Sequence, residues 1–324
     1  MKGMRAFRPA LATHTRSFVT STWVVPTLIA VGVPLGLYTY KCLMLVLFQN
    51  KLIYLPYLPP GARKERLTSE HTLNMEVHEV KVPARDGTLL RGLVARTKDA
   101  PNTADTNTTG NVLVYFQGNA GNMIHRLPLF QSLITPISNL TIVGIGYRGF
   151  GGSGGRPSEK GLKTDALSIL DYVKTEFPSS SIYLYGHSLG GSVVIYLAST
   201  DDARRSPQIR GIIVENTYTS ILDMVMALYG KYTPYPYVAK YFLWNRWESK
   251  NVIPNVQHPM LFLASQRDEL VPKEHMRTLF ENAINVPSKE FVKFNRSMHM
   301  DIFAKEPRAF ASAVRRFIDS TKVS

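Results

Sequence analysis

The fold of this 324-residue chain is decided by the stretch Ser181–Ala198, SIYLYGHSLGGSVVIYLA. Its first apolar run, Ile182–Tyr185, has the length and β-rich composition of a strand, and residues 192–198 continue without Gly or Pro and predict a helix. Between them stands a G-x-S-x-G sequence at 186–190. A strand, a sharp turn and a helix around such a pentapeptide are typical of a nucleophile elbow, so we predict that Ser188 is a nucleophile.

The small residues around Ser188 have a physical reason. A serine hydroxyl that stands clear of the sheet needs a strained backbone, and the strand and the helix crowd each other two residues before it and two residues after it. Gly186 and Gly190 occupy those two positions, and Gly191 allows the helix to pack closely. The pentapeptide is therefore expected to form this turn rather than to be a chance Gly-rich sequence.

Further apolar runs predict a sheet around this strand. They are Met75–Val82, Thr88–Ala95, Val112–Phe116, Thr141–Gly146, Ile209–Val214, Met260–Ala264 and Glu290–Phe294. The first two are joined by Arg85-Asp86-Gly87, a hairpin signal. One helix is predicted after Val112–Phe116 and ends at Leu133. Three more helices are predicted, at Ser158–Phe177, Pro272–Ala283 and Asp301–Ser320. An antiparallel start followed by alternating strands and helices predicts an α/β fold, with a mostly parallel sheet covered by helices on both faces.

A serine hydroxyl becomes a good nucleophile only when a base takes its proton, and the base is typically a histidine oriented by a carboxylate. Three histidines follow Ser188 at a useful distance. His258 precedes a predicted strand and so lies at the wrong end of the sheet, and His275 lies in the first turn of a predicted helix. His299 lies between the last strand and the last helix, where the carboxyl edge of the sheet would present it, so we predict that His299 is the base.

The predicted acid is Asp268. It follows the strand Met260–Ala264, again at the carboxyl edge of the sheet. Glu269 is its neighbour and Glu215 ends the preceding strand, so both remain alternatives. The order serine, acid, histidine along the chain is the order found in α/β hydrolases.

Attack on a carbonyl group creates an oxyanion that needs preorganised N–H donors. The amide of Leu189, directly after the nucleophile at the start of a helix, is expected to be one donor. The backbone N–H of Asn119 is expected to be the other, because Gln117-Gly118-Asn119 follows the strand Val112–Phe116 and its glycine allows a substrate to approach.

A second glycine pattern, Gly149–Gly154, has the G-x-G-x-x-G spacing of a dinucleotide site. Arg156-Pro157 separates it from the next predicted helix, so no helix N-terminus would meet a pyrophosphate, and no strand-ending acid follows at the expected distance. We interpret the pattern as a turn beside the active site. The sequence predicts neither a cofactor nor a metal site.

The amino-terminal part of the chain is basic and apolar. Residues 1–64 contain eight Lys or Arg and no Asp or Glu, so +8 of the formal net charge of +14 lies there. Residues 17–40 are uncharged and would span about 36 Å as a helix, enough to cross a bilayer. The next apolar run, 42–48, either extends this helix or lies at the interface. This pattern favours the flank of a membrane helix over a nucleic-acid site.

The motifs in combination resemble one family. Similar motifs occur in the membrane-anchored abhydrolase-domain (ABHD) proteins, particularly the fungal bud-emergence (Bem) branch: QGNAGN at 117–122, YRGFGGSGGRPSEKG at 147–161, GHSLGG at 186–191, ENT at 215–217, RDELVP at 267–272, and His299. The resemblance covers about residues 50–320. It implies an α/β-hydrolase fold and a serine hydrolase with Ser188, Asp268 and His299 as the catalytic triad.

Two departures limit what the resemblance carries over. Many α/β hydrolases have His where this chain has Gln117, which leaves a backbone donor role intact but not a side-chain role. A related branch removes palmitate from proteins and carries an amino-terminal cysteine cluster, whereas this chain has Cys42 as its single cysteine. That activity is therefore not carried over.

We predict four parts: a basic leader at 1–16, a transmembrane anchor at 17–40, a juxtamembrane segment and linker at 41–70, and an α/β-hydrolase domain at 71–324. A basic leader that stays inside favours a single-pass, type II signal-anchor, with the domain on the lumenal or outer side of the endoplasmic reticulum or another endomembrane. Sequons at Asn107, Asn139 and Asn295 fit that side. The Arg-containing, acid-free leader leaves a presequence for a mitochondrial membrane as the alternative.

The sequence thus predicts a membrane-anchored serine hydrolase that cleaves an acyl ester, a thioester or a lipid through an acyl-enzyme. The alternative is a catalytically idle interaction protein on the same fold, and the intact serine, acid and histidine favour the enzyme. Residues 215–252 are predicted to be irregular and rich in aromatic residues. Within them, the aromatic segment at 229–247 forms either a lid for an apolar acyl chain or a packed excursion. No nucleic-acid partner is expected, and the sequence predicts no particular oligomeric state.

Overall fold

The computed structural model describes residues 21–72, 74–98 and 110–321. The chain divides between residues 47 and 48 into two compact units. The predicted leader at 1–16, the first residues of the predicted anchor and the sequon at Asn107 lie outside the described residues.

The described part of the second unit contains one eight-stranded sheet, in the order β1-β2-β4-β3-β5-β6-β7-β8. Its strands are β1 Met75–Pro83, β2 Leu89–Thr97, β3 Asn111–Phe116, β4 Leu140–Gly146, β5 Ser181–His187, β6 Ile209–Glu215, β7 Met260–Ser265 and β8 Lys289–Phe294. Strand β2 pairs antiparallel with β1 and β4, and the other pairs are parallel. The mostly parallel sheet predicted from the sequence is confirmed.

The helices of the described residues are α1 Ser21–Leu47, α2 Gln49–Ile53, α3 Leu127–Ile134, α4 Glu159–Glu176, α5 Leu189–Ser199, α6 Asp201–Arg204, α7 Ile221–Leu228, α8 Tyr235–Phe242, α9 Ser249–Val252, α10 Lys273–Asn282, α11 Ile302–Lys305 and α12 Pro307–Ser320. Helix α1 belongs to the first unit and the others belong to the second.

The core lies on both faces of the sheet. Alternate residues of a strand point to opposite faces, so Val112 and Val114 of β3 join a cluster with α4, α5 and α10, whereas Leu113 and Tyr115 join a cluster with α3 and α12. Every residue of β3, β4 and β7 is buried, as expected for strands covered on both faces. The carboxyl ends of the parallel strands therefore meet at one edge of a rigid sheet.

Helix α1 is one continuous apolar helix with Pro26 and Pro34 inside it. Its residues 23–47 are long and apolar enough to cross a membrane, by length and composition. Membrane helices tolerate internal prolines better than soluble helices do. Lys41 and the apolar run after it are part of the same helix, so this run extends the helix rather than forming a separate segment.

The helix after the elbow and the last helix of the chain differ from their predicted bounds. Helix α5 begins at Leu189 rather than at Ser192, because its first glycines are required by close packing and do not break the helix. The predicted helix Asp301–Ser320 is divided at Glu306 into α11 and α12. Pro307 explains the division, since proline has no N–H for the ladder of a preceding helix.

The segment between β6 and β7 was predicted to be irregular, but it contains α7 and α8. Ser220 caps α7, because its hydroxyl accepts the N–H of Asp223 at 2.9 Å. Pro236 lies in the first turn of α8, where a missing N–H costs little. The prolines and aromatic residues that suggested a loop are therefore compatible with two short helices.

The residues predicted as a linker pack against the sheet domain. Tyr54 and Ala62 are each only 1% exposed, and Leu55 forms a bridge with Ala120 in the loop after β3. The division predicted at residue 71 stays a prediction, but the compact second unit itself begins at Phe48.

Candidate active site

Ser188 joins β5 to α5 in a strained turn. Its backbone has φ 53° and ψ −118°, which is uncommon for a residue with a side chain, and its N–H donates to the carbonyl of Glu215 at 2.9 Å. A Cβ atom at Gly190 would lie 1.9 Å from the carbonyl oxygen of Phe116, and one at Gly186 would lie 2.2 Å from the carbonyl oxygen of Gly190. Both positions therefore require glycine, as the elbow predicts.

His299 and Asp268 lie side by side after β8 and β7. Nδ1 of His299 is 2.8 Å from Oδ2 and 3.0 Å from Oδ1 of Asp268, and both side chains are almost completely buried. Oδ1 of Asp268 also accepts the backbone N–H groups of Leu270 and Val271, at 2.9 and 2.8 Å, which orients the carboxylate. With Nδ1 engaged, Nε2 of His299 is the ring atom that can exchange a proton with another group.

Three further side chains hold the backbone of His299. Glu269 accepts its N–H at 3.0 Å. Its carbonyl oxygen accepts hydrogen bonds from Nδ2 of Asn216 at 2.9 Å and from Nε2 of His187 at 3.0 Å. Asn216 also accepts the N–H of Ser265 at the end of β7. These positioning roles were not predicted from the sequence. The one feature that could have indicated them is that Asn216 directly follows Glu215 and Glu269 directly follows Asp268.

His187 supports the site without acting as a base. Its ring lies 5.0 Å from the ring of His299, centre to centre. Burial, together with the nearby His299, lowers the pKa of His187 well below its ordinary value. The ring is therefore neutral, and its Nε2 carries the hydrogen that bonds the His299 carbonyl. A Cβ atom at Gly118 would lie 3.2 Å from Nδ1 of His187, so glycine at 118 leaves room for this ring.

The loop after β3 carries Asn119, whose backbone N–H is the predicted oxyanion donor. The loop comes close to the nucleophile, since a Cβ atom at Gly118 would lie 3.5 Å from the Cβ of Ser188. The carbonyl oxygen of Asn119 accepts the N–H of Leu55 at 2.7 Å, and its Nδ2 donates to the carbonyl of Ile53 at 3.1 Å. Residues 53–55 therefore fix the position of Asn119.

Leu189, the other predicted donor, is the first residue of α5. The first N–H groups of a helix have no acceptor within the helix, and together they favour negative charge at that end. The predicted donors thus come from two segments that meet at Ser188. Their role as an oxyanion hole stays a prediction.

The glycine-rich loop after β4 forms a closed turn. The N–H of Gly149 donates to the carbonyl of Gly154 at 2.7 Å, and the hydroxyl of Tyr147 donates to the carbonyl of Gln117 at 2.9 Å. The loop therefore supports the segment that carries Asn119. Within residues 21–72, 74–98 and 110–321, no group of three or more His, Cys, Asp or Glu residues is arranged to hold a metal ion.

Glu215, the alternative acid, is buried at the end of β6 and has a different partner. Its carboxyl group accepts the hydroxyl of Tyr185, and burial raises the pKa of Glu215 to about 7. The other alternative, Glu269, bonds the backbone of His299 rather than its ring. Of the three carboxyl groups, Asp268 is the one that contacts the imidazole.

The aromatic segment at 229–247 has two parts. At its end, Trp247 is 2% exposed, and its indole N–H donates to the hydroxyl of Tyr54 at 2.9 Å. The same hydroxyl donates to Asn245 at 2.9 Å. In its middle, Tyr232 and Tyr241 are 90% and 70% exposed. The end of the segment is therefore packed, whereas its middle is open.

Comparison with known proteins identifies relatives of this chain. The family described as serine aminopeptidase, S33 (Hydrolase_4) matches residues 138–249. Protein bem46 of Schizosaccharomyces pombe is 34% identical over 85% of this chain and 84% of its own length. YNL320W of Saccharomyces cerevisiae, described as a membrane protein, is 28% identical over 88% of this chain and 94% of its own length. The lysophosphatidylserine lipase ABHD12 of Macaca fascicularis is 30% identical over 56% of this chain and 47% of its own length.

A solved structure with the same architecture is the esterase Pf2001 of Pyrococcus furiosus. It has a TM-score of 0.61 and 18% identity, covering 83% of this chain and 99% of that chain. At that identity the similarity shows the fold alone. The similarity to bem46, by contrast, exceeds 30% identity over most of both chains. The chain therefore has the α/β-hydrolase fold, belongs to the ABHD family in its Bem46-type branch, and is a serine hydrolase.

Proposed function

We propose that this hydrolase cleaves an acyl ester or thioester through an acyl-enzyme on Ser188, with His299 as the base and Asp268 as its orienting carboxylate. The observation that carries the proposal is the buried contact between Nδ1 of His299 and Asp268, at the sheet edge where the elbow serine stands. The lipase name of the ABHD12 relative supports a lipid ester as the substrate class.

In the acylation step, Oγ of Ser188 attacks the acyl carbonyl carbon while its proton passes to Nε2 of His299. Asp268 stabilises the imidazolium that forms, and the N–H groups of Asn119 and Leu189 stabilise the oxyanion. The tetrahedral intermediate then expels the alcohol or thiol, which receives the proton from His299.

In the deacylation step, a water molecule attacks the acyl group on Ser188 while His299 accepts a proton from the water. Collapse of the second intermediate releases the carboxylic acid and returns the proton to Ser188. His299 acts twice in one position, so the bonds from Glu269 and Asn216 to its backbone matter in both steps.

Covalent labelling with a fluorophosphonate tests the nucleophile. The wild type is expected to be labelled and Ser188→Ala is expected to be unlabelled. Ser199→Ala, at the other end of α5, is the matched control and is expected to be labelled like the wild type. Equal labelling of Ser188→Ala would assign the nucleophile elsewhere, and an unlabelled wild type would favour the idle interaction protein. A panel of lipid, acyl-ester and thioester substrates then identifies the class.

We also propose that α1 anchors the chain as a single pass, with a cytosolic amino terminus and a lumenal or outer hydrolase domain. The apolar helix supports an anchor, as does the description of the YNL320W relative as a membrane protein. Asn139 and Asn295 are exposed, which suits their use as glycosylation sites.

Glycosidase treatment and protease protection of sealed membranes test this orientation. A shift in mobility and a protected domain are expected. An unshifted domain that is digested from the cytosolic side would reverse the orientation. A shortened amino terminus in mitochondria would favour the presequence alternative.

A further inference from the structure

Helices α7 and α8 are apolar but contain no buried residue. Asp223 is the one polar residue of α7, and α8 combines apolar residues with three tyrosines and one charged residue, Lys240. Ile221 and Met224 pack partly against the core, and the two helices contact each other. Their outer apolar side chains are nevertheless exposed: Met226, Leu228, Tyr237, Tyr241 and Phe242. A surface helix of a globular protein normally buries its apolar stripe and exposes polar residues, so this exposed apolar area is unusual.

The open surface continues from these helices onto α2. Tyr232, Tyr241 and Phe242 are 90%, 70% and 59% exposed, and Leu52 of α2 is 52% exposed. We call the exposed apolar side chains of residues 226–244, together with those of Phe48 and Leu52, the cap surface. Extended apolar patches of this kind mark sites of interaction with a protein or a membrane.

Hydrogen bonds join the two parts of the cap surface. Nε2 of Gln49 donates to the carbonyl of Phe242 at 3.2 Å, and Oε1 of Gln49 accepts the N–H of Trp244 at 3.0 Å. The indole N–H of Trp244 donates to Oδ1 of Asn50 at 3.4 Å. Helix α2 and the end of α8 therefore form one surface.

The charges on this surface have one sign. No acidic residue occurs between Asp223 and Glu248, whereas Lys231 and Lys240 do. The cations lie over aromatic rings: Nζ of Lys231 is 5.0 Å from the centre of the Tyr232 ring, and Nζ of Lys240 is 5.6 Å from that of Tyr241. Aromatic side chains that alternate with Lys and Arg are typical of elements that lie in the headgroup region of a bilayer.

Chain connectivity also favours a lipid bilayer as the partner of the cap surface. Phe48 directly follows Leu47, the last residue of α1. If α1 crosses a bilayer, the chain leaves the hydrocarbon at or near Phe48. Gln49 and Asn50, which hold the cap surface, are the next residues. The cap surface is therefore tethered close to the lipid headgroups.

We propose that the cap surface docks on the bilayer that α1 crosses, with its aromatic and apolar side chains among the lipid headgroups and its lysines beside the lipid phosphate groups. This inference rests on the proposed anchor and not on the proposed catalytic triad. A second copy of the chain or a protein partner on the same surface is a different outcome of the test below.

Tryptophan quenching in nanodiscs tests the docking with the full chain. The chain has three tryptophans, Trp23, Trp244 and Trp247, so Trp23→Phe leaves the exposed Trp244 and the buried Trp247 as reporters. The nanodiscs contain phosphatidylcholine and phosphatidylserine brominated near the tops of the acyl chains, because an interfacial element is buried only about 5–10 Å. Loss of most of the Trp244 emission is expected, and the further change Trp244→Phe should remove the quenched component.

A double variant and its control locate the contact. Tyr241→Ser with Phe242→Ser is expected to restore the Trp244 emission. Ile284→Ser, which changes an equally open apolar residue outside the cap surface (69% exposed), should leave the quenching intact. Emission that is equal in brominated and plain nanodiscs overturns the proposal, and so does a dimer in detergent that the double variant dissociates.

The outcomes separate docking from the proposed function. A full chain that is extracted by alkaline carbonate contradicts the anchor and the docking together. A chain that enters the bilayer but leaves Trp244 unquenched contradicts the docking alone. Fluorophosphonate labelling tests the catalytic triad, and its result does not depend on the anchor or on the docking.

Discussion

The cap surface and the loop around His299 differ in how completely their side chains are bonded and buried. The imidazole of His299, its N–H and its carbonyl are all hydrogen-bonded, to Asp268, Glu269 and Asn216 among others. No residue of α7 or α8 is fully buried. The position of His299 is thus determined by bonds within the chain, whereas the cap surface exposes large apolar side chains such as those of Tyr232 and Tyr241.

The difference separates two demands on a hydrolase. Proton transfer needs atoms held to fractions of an ångström, which buried, fully bonded groups provide. Contact with a lipid surface needs exposed area and tolerates local change. Substitutions in the first region should therefore change kcat, and those in the second should change where the enzyme acts.

The largest expected effect is that of His299→Ala. Without the base, kcat for a water-soluble ester should fall by about a millionfold, while thermal unfolding shows that the fold is retained. The cap double variant Tyr241→Ser with Phe242→Ser should keep the wild-type kcat on the same ester. The comparison fails if the cap variant loses soluble-ester activity or if His299→Ala keeps it.

The next effect distinguishes the two buried acids. Asp268→Asn should lower kcat by about ten-thousandfold, because the imidazolium loses its partner and the tautomer of His299 is wrong. Glu215→Gln should keep most of the activity, since its carboxyl group bonds the hydroxyl of Tyr185. Steady-state kinetics on both variants decide the acid, and the opposite ranking would assign it to Glu215.

A smaller effect concerns stability and pH. Burial raises the pKa of Glu215 to about 7, above its value in an unfolded chain, so the native state holds this proton more tightly. The stabilising contribution is complete below the unfolded pKa and is lost as the pH rises through about 7. Between pH 5 and 8 the free energy of unfolding of the wild type should fall by roughly 2 to 3 kcal/mol relative to Glu215→Gln.

Chemical denaturation at several pH values measures that difference. The exposed Glu70→Gln, compared with the wild type in the same way, is the control and should show no such slope. Parallel pH profiles of the wild type and Glu215→Gln would mean that Glu215 is ionised in the native state throughout.

The smallest expected effect is that of Asn119→Ala. The variant keeps the backbone N–H that is the proposed donor, but it loses the bond from Nδ2 to the carbonyl of Ile53. A neutral hydrogen bond contributes about 1 kcal/mol, so kcat should fall about five- to tenfold with little change in KM. Asn285→Ala removes a bond of the same type, to the carbonyl of Pro254, and should leave kcat unchanged.

The sequence was sufficient for the parts of the fold that local pattern determines. Strands such as Met260–Ser265 are apolar runs between turn residues, so their positions follow from composition. The divided helix at Pro307 and the elbow start of α5 were missed by a few residues. In α5 the reason is tertiary, because Gly190 is fixed by its approach to the carbonyl of Phe116 and not by helix propensity.

The catalytic residues of the site could be predicted, because the reaction requires particular residue types. The residues that only hold them in position could not be predicted. Ser188, Asp268 and His299 could be selected from type and position along the chain. The roles of Asn216 and His187 could not be selected in this way. Each donates a hydrogen bond to the backbone carbonyl of His299, and many residue types can do that. The cap helices were missed because Pro236 and the surrounding tyrosines favour a loop locally.

The bonds between residues 53–58 and the loop after β3 also decide how a water-soluble fragment should be cut. Leu55 bonds the carbonyl of Asn119, and the carbonyl of Leu58 accepts the N–H of Gly121. A fragment that starts at residue 71 lacks both bonds and the buried ring of Tyr54. A fragment that starts at Phe48 keeps them, so assays on a domain released from its anchor should begin there.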